Sequence, residues 1–268
     1  MEFLIGADPE LFVKDKRSKE FISGWGLIKG DKQNPYPVDD GAVQVDGMAL
    51  EFNINPARTK TEFVRNIVSV KRQLSGMIGP DLSLVPTPTV HFSDKVWLNT
   101  PDEAAILGCD PDFNAWDGGR ENNRPDGEVK FRTGAGHIHI GWTEGVNIDN
   151  PVHLDVCIAL VQQLDATLGV WSVLKDEDTE RRSLYGRAGA FRPKPYGVEY
   201  RVLSNFWTKN KTLMSEVYGI TMNSIKLLQG GHMLSRRSIP NIVNGSEKNI
   251  CQTYFNNYQR SVSRYIKG

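Results

Sequence analysis

The chain has 268 residues, and 32 Lys+Arg balance 32 Asp+Glu, so its formal charge near neutral pH is zero. With 24% charged and 39% apolar residues it can bury a sizeable core, which excludes wholesale disorder. The even charge argues against a dedicated nucleic-acid binder, and no run of about 18 consecutive apolar residues marks a membrane span.

The opening MEFLIGADPELF has neither a basic region nor a long apolar stretch, so it does not read as a signal peptide. Cys109, Cys157 and Cys251 are far apart and form no CxxC pair, which argues against a disulfide framework or a structural zinc site. The expectation is a reduced, cytoplasmic protein whose 268 residues form one domain.

In chain order, short strands are predicted at residues 3–6, 11–13 and 20–22, the last two flanking the polar KDKRSK as a hairpin. A long loop covers 24–41. Residues 43–55 predict one or two strands around the Asp46-Gly47 turn, with Leu50, Phe52 and Ile54 facing the core and Pro56 ending the run. Thr59 or Thr61 caps a helix carrying Phe63, Ile67, Val70, Leu74 and Met77 at helical spacing. A strand over 82–92 is interrupted by Pro86 and Pro88. Residues 109–136, dense in Asp, Asn, Gly and Pro, predict a long surface loop. A strand follows at 137–142, a strong helix at 154–174, an Arg-rich loop at 180–197 and a strand at 198–203. Helices at 211–229 and 246–266 close the chain, the second capped by Ser246. Hairpin groups separated by helices predict an α+β fold with a mainly antiparallel sheet covered by helices on one side. No regular βαβ alternation or glycine-rich fingerprint supports a dinucleotide fold.

Four segments concentrate chemistry-bearing side chains. In GADPE, Asp8 and Glu10 are two apart and share a side if extended. Paired carboxylates repel unless a cation sits between them, and a divalent metal is the usual answer; a polar turn closing a strand is the plainer reading. In LEFN, Glu51 and Asn53 share the side opposite Phe52, either as a metal-binding edge or as a solvated one. In GAGHIHIG, His137 and His139 share one strand face, suited to a metal or phosphate, and the preceding glycines let a ligand approach the backbone. RAGAFRPKPYGVEYR gathers Arg187, Arg192, Lys194, Glu199 and Arg201, a set suited to a polyphosphate held partly through metal or to a solvated basic loop. A fifth segment, CDPDFNAW, offers Asp110, Asp112 and Asn114 as ligands or as an Asx-rich turn. GxSxG, P-loop and HExxH motifs are absent, so covalent nucleophilic catalysis has no support.

Taken in order, DPE, LEFN, GCDPDFNAW, GHIHIG and the basic segment leading into VEYR resemble the phage carboxylate–amine ligases (amidoligases) of the second type, in the superfamily of glutamine synthetase and glutamate–cysteine ligase. The resemblance spans roughly residues 3–207. It implies a curved antiparallel sheet forming a catalytic funnel, with helices on its outer face, ATP at one end, acceptor substrates at the other and divalent ions between. Matched motif by motif, it implies that Asp8, Glu10, Glu51, His137 and Glu199 bind Mg²⁺ or Mn²⁺. It gives His137, Lys194, Arg187, Arg192 and Arg201 to the nucleotide phosphates, and Glu199, Arg201, Arg192 and Arg187 to catalysis. The sequence departs from the pattern in having Asp, not Glu, at the first acidic position, with Pro9 inside the pair. A further glutamate near Glu51 is missing, leaving Asp46 or Asn53 to stand in. Nothing resembles the extra N-terminal domain of glutamine synthetase, so that enzyme's dodecamer does not carry over.

The implied reaction is ATP-dependent amide or peptide bond formation through an acyl phosphate, joining a small-molecule or peptide carboxylate to an amine. Two alternatives stand beside it: a metal-dependent hydrolase using the carboxylates and histidines without ATP, and a non-catalytic binding module on the same fold. The sequence names neither substrate and gives no oligomeric state.

Overall fold

The computed structural model describes residues 2–105, 112–123 and 130–266. The N-terminal third builds β1 (Leu4–Asp15), β2 (Phe21–Ile22), β3 (Tyr36–Val38), β4 (Gly41–Asp46) and β5 (Ala49–Ile54), followed by helix α1 (Lys60–Met77). Then come β6 (Leu82–Val85), β7 (Thr89–His91), the short helices α2 (Asp94–Leu98) and α3 (Asp102–Ala105), and β8 (Phe113–Asn114), β9 (Arg120–Glu121), β10 (Phe131–Thr133) and β11 (Gly136–Gly141). The remainder holds α4 (Pro151–Leu164), α5 (Val170–Lys175), α6 (Glu180–Leu184), β12 (Ala190–Lys194), β13 (Gly197–Tyr200), α7 (Lys211–Gln229), α8 (Ile239–Asn244) and α9 (Lys248–Tyr265).

The fold is α+β. Its main sheet runs in the order β3-β4-β5-β1-β11-β13-β12-β8-β9, and β2 and β6 also pair with β1. Every described pairing is antiparallel. One face carries Ile5, Ala7, Leu11, Leu50, Phe52, Ile138, Ile140, Phe191, Val198 and Tyr200, all buried. Helices cover that face: α1 packs on β4 and β5, α4 packs on β12 and β13, and α7 packs on both helices. Helix α1 turns Phe63, Ile67, Val70 and Leu74 inward and is capped by Thr59, whose Oγ1 accepts from Glu62 N at 3.2 Å. Because strand side chains alternate, the even-numbered residues of β1 and their cross-strand neighbours face away from the helices. Phe12 there joins a small second cluster with Met48, Val90 and Phe92.

The sheet differs from expectation in three places. First, β1 is continuous from Leu4 to Asp15 rather than broken after Gly6. Pro9 is tolerated mid-strand because the ladder resumes at once, with Glu10 N donating to Ala135 O at 2.9 Å. Second, residues 180–197 are not one loop. Arg181 and Arg182 sit in α6, and Arg192 and Lys194 point outward from β12 while Phe191 and Pro193 point in. Pro193 lies beyond the two residues that pair with β8, where no ladder partner needs its missing N–H. Third, part of the expected 109–136 loop forms the β8–β9 hairpin and β10.

Gly134 and Gly136, expected to admit a ligand, instead make room for the protein itself. A Cβ on Gly134 would lie 2.2 Å from Asn205 Nδ2, and one on Gly136 would lie 2.4 Å from Ser204 O. Ser246 does not cap the last helix: it adopts φ +54°, and the residue before α9 is Glu247.

Residues Pro151–Lys175 form one apolar helix, long enough by length and composition to cross a membrane, but an apolar 18-residue window within it is 78% buried inside the fold. Its middle, Asp165–Gly169, widens into a π-helical turn. Such turns displace one residue from the helical ladder, and here that turn carries the fully buried Asp165. Its carboxylate accepts from Trp116 Nε1 at 2.6 Å and from Tyr200 Oη at 2.7 Å. Burial, partly offset by these hydrogen bonds, pushes the carboxyl up to about 7. A raised acid stabilises the native state fully below its unfolded value near 4 and loses that contribution as pH rises through about 7. Asp165→Asn should therefore flatten the fall in stability between pH 5 and pH 8, by a few kcal/mol at most. Urea unfolding at both pH values measures this; an unchanged pH slope would refute the assignment.

Candidate functional site

The solvent-side face of the sheet carries two cross-strand rows of polar residues. Antiparallel register places Gln44 opposite Glu51 and Glu51 opposite Glu10, across β4, β5 and β1. It also places His139 opposite Glu199 and Glu199 opposite Arg192, across β11, β13 and β12. Asp8 opposite His137 links the rows. Directly paired residues share a face, so the sequence pairs Asp8/Glu10, His137/His139 and Glu199/Arg201 converge here through their strand neighbours.

Two groups of potential metal ligands result. Asp8, His139 and Glu199 form one, and Glu10, Asp46 and Glu51 the other; within each group one ligand atom per residue lies within 4.8 Å of the others. In the first, Asp8 Oδ2 is 3.0 Å from His139 Nε2, and His137 Nδ1 is 3.4 Å from Asp8 Oδ1 and 3.3 Å from Glu199 Oε1. Despite these separations, Asp8 Oδ1 and His139 Nε2 are buried without a hydrogen-bond partner. Oriented, dehydrated oxygen and nitrogen donors in this state suit a divalent cation. In the second group, Ala135 N donates to Glu10 Oε2 at 2.9 Å, Gln44 Nε2 to Glu51 Oε2 at 3.1 Å, and Lys32 Nζ lies 2.8 Å from Asp46 Oδ1.

The electrostatics of the two groups oppose each other. Burial raises the Asp8 carboxyl, but His139 and His137 outweigh it and hold it well below the usual carboxylate range. Burial also raises Glu199, and Arg201 outweighs it, bringing it to about 2. Burial and the Arg201 charge press His137 down to about 4, so its ring is neutral. His139 is also buried, yet the Asp8 charge lifts it above its ordinary value. In the carboxylate group, burial and then Asp46 push Glu10 up to about 7. Burial, followed by the charges of Asp8, Asp46 and Glu10, pushes Glu51 well above its ordinary value. Three acids crowded against one lysine carry repulsion that a bound cation would relieve.

The basic residues gather around Glu199, which is 1% exposed. Lys194 Nζ lies 2.9 Å from Glu199 Oε2 and Arg192 3.7 Å from Oε1, and Arg201 donates to the same oxygen. Arg201 Nε also donates to Asp112 Oδ2 at 3.2 Å. Asp112 thus faces the site, while Asn114 closes an Asx turn by accepting from Trp116 N at 2.8 Å. Asp110 and Cys109 lie outside the described residues. Arg187 is not brought in: it is exposed and donates to Ser183 O at 2.8 Å.

Cavities open on both sides of this wall. One, of about 550 Å³, is lined by Glu10, Asp46 and His137 with Arg132, Arg181 and Arg201. The other, of about 740 Å³, is lined by Asp8, Glu51 and His139. Residues 120–236 match the family described as Phage phiEco32-like COOH.NH2 ligase-type 2. This part of the chain is similar to phage carboxylate–amine ligases. The resemblance drawn from the sequence motifs is thus supported independently, and the family's name is that of a ligase joining a carboxylate to an amine. The matched segment holds His137, His139, Arg192, Lys194, Glu199 and Arg201; Asp8, Glu10, Asp46 and Glu51 precede it. No curated protein matches the chain.

The sequence reading did not assign Arg132, Arg181 or Lys32 to the site, and it held Asp46 only as a stand-in. Asp46 and Gln44 were within reach of hairpin logic: a turn at Asp46-Gly47 fixes Gln44 opposite Glu51. Arg132 and Arg181 had no such signal, because each arrives from a short element far away in sequence.

Proposed function

We propose that the protein is an ATP-dependent carboxylate–amine ligase working through an acyl phosphate. The observation that carries this reading is Glu199, a buried carboxylate shared by a candidate cation group (Asp8, His139) and a basic group (Arg192, Lys194, Arg201). Neither set of charges is favourable when buried alone. Together they suit a polyphosphate whose charge is met from both sides.

Asp8, His139 and Glu199 would hold one cation, and Glu10, Asp46 and Glu51 a second. Mg²⁺ or Mn²⁺ there would neutralise phosphate charge and orient the phosphoryl group. Arg192, Lys194 and Arg201 supply hydrogen bonds and positive charge where the transferring phosphoryl group gathers negative charge. Neutral His137 offers a hydrogen bond without adding charge. The substrate carboxylate oxygen forms a bond to the γ-phosphorus, the bond to the bridging oxygen breaks, and ADP leaves with the electron pair. The amine nitrogen then bonds the acyl carbon, the carbon–oxygen bond to phosphate breaks, and phosphate departs as one proton leaves the nitrogen. Arg187, exposed and occupied with Ser183, has no part in this scheme.

Calorimetric titration with a non-hydrolysable ATP analogue tests the reading. Binding should require Mg²⁺ or Mn²⁺ and weaken at least about tenfold in chelator, a difference near 1.4 kcal/mol. Absence of binding with either metal would overturn it.

A further inference from the structure

The two cavities flanking the candidate cation groups differ in charge. In the smaller one, carboxylates that include Glu10, Asp46 and Asp112 are offset by Lys32, Arg132, Arg181 and Arg201. The larger, at the N-terminal end of β1, is lined by the half-buried Asp8 and Glu51 and by the exposed Glu2 and Glu144, so the first pair marks its inner end and the second its rim. Ile54 and Trp142 add apolar lining. Among the described residues Arg58 is the one arginine lining it, and its charge is already matched by Glu2 at 3.0 Å. Glu144 makes no ion pair among the described residues and is exposed. At the inner end, Asp8 Oδ1 and His139 Nε2 are buried without a hydrogen bond, in the candidate cation group already described. A cavity with apolar lining, the candidate cation groups at its inner end and the unmatched Glu144 at its rim suits an aliphatic amine that carries a second, distal positive charge.

We infer that the amine substrate enters this cavity as an aliphatic amine bearing a second positive charge, with its reactive nitrogen at the Asp8 end and its distal ammonium at Glu144. The assignment of substrate role rests on the ligase reading; the cation preference of the cavity does not. An anionic amine such as an acidic amino acid would set its carboxylate against Glu144 and is disfavoured. In the ligation step the neutral reactive nitrogen forms the C–N bond, phosphate leaves with the C–O electron pair, and the proton passes to solvent, while the distal ammonium stays charged.

The test compares 1,4-diaminobutane, butylamine and succinate by calorimetric titration at 0.15 M salt, with and without the ATP analogue and Mg²⁺. The diamine should bind at least about tenfold more tightly than butylamine, and succinate should not bind. Glu144→Gln, a change at an exposed position, should bring diamine and butylamine to similar affinity and leave binding of the ATP analogue unaltered. Equal affinities in the wild type, a preference for succinate, or a diamine preference that survives Glu144→Gln would overturn the inference. Loss of metal-dependent nucleotide binding with the diamine preference intact would overturn the ligase reading and leave the cation site standing. Nucleotide binding without diamine preference would do the reverse.

Discussion

Glu199→Gln is expected to lower metal-dependent nucleotide turnover by at least about 10²–10³-fold, the scale of removing one preorganised electrostatic group from a dry site. The loss is large because one carboxylate serves both sides of the site. Its oxygens face His137, Arg192, Lys194 and Arg201 at once. The amide keeps the shape but removes the charge, so the arginines and lysine would repel one another and one cation position would lose its ligand. Glutamine is preferred to alanine as the test. Truncating a partner of a buried ion pair costs about 3–5 kcal/mol, and alanine would take the Glu199 carboxylate away from Arg201, which is 5% exposed. Measured ADP release and circular dichroism on the same preparation separate catalysis from folding. A folded Glu199→Gln protein with wild-type turnover would sink the ligase assignment.

The second large effect has opposite signs with and without metal. In the metal-free protein, ionising Glu10 at pH 8 is unfavourable because burial and Asp46 have pushed it to about 7. Against its ordinary value of 4.5, that corresponds to about 3 kcal/mol at alkaline pH. The stabilisation from the protonated acid is complete below about 4.5 and is lost as pH rises through about 7. Glu10→Gln removes that loss. In chelator at pH 8 the variant should melt about 5 °C above wild type, and the two should converge near pH 5. Added Mn²⁺ should raise the wild-type melting temperature and raise that of Glu10→Gln much less, since a ligand stabilises only the state that binds it. Thermal melts at two pH values, with chelator or Mn²⁺, give all four numbers. A variant less stable than wild type in chelator, with an undiminished Mn²⁺ shift, would contradict the proposed role of the carboxylate group.

The chemistry was legible wherever it followed from the two-residue period of a strand. Asp8 with Glu10, His137 with His139, and Glu199 with Arg201 each share a side for that reason alone. What the local pattern could not supply was which strands are neighbours. That is decided by tertiary pairing, so the division of ligands into one group with His139 and another with Asp46 became visible only with the sheet order. His137 illustrates this. It was expected among the metal ligands, and it lies between Asp8, Glu199 and Arg201, but His139 is the histidine grouped with Asp8 and Glu199. The basic segment was read as a loop because its density of Arg, Lys and Pro outweighed a short alternation of Phe191 and Pro193 against Arg192 and Lys194. Gly6 likewise ended the first predicted strand, yet in β1 Gly6 and Pro9 both pair with β11, opposite His139 and Gly136. The helices were easier: α1, α7 and α9 each carry a long apolar stripe, and their ends fell close to the predicted ones.

The position of β1 governs when this site can come into being. Leu4 pairs with Gly141 and Asp8 with His137, contacts that close about half the chain. On the other side, Glu10 pairs with the much nearer Glu51. The β1–β5 side can therefore assemble early during synthesis, carrying Glu10, Asp46 and Glu51. Asp8 waits for β11 and β13. Contacts of such long sequence separation form late and slow folding, because loop closure must be met before they contribute. A nascent chain shorter than about 200 residues can hold at most the carboxylate group, and both ligand groups come together only after Glu199 has left the ribosome.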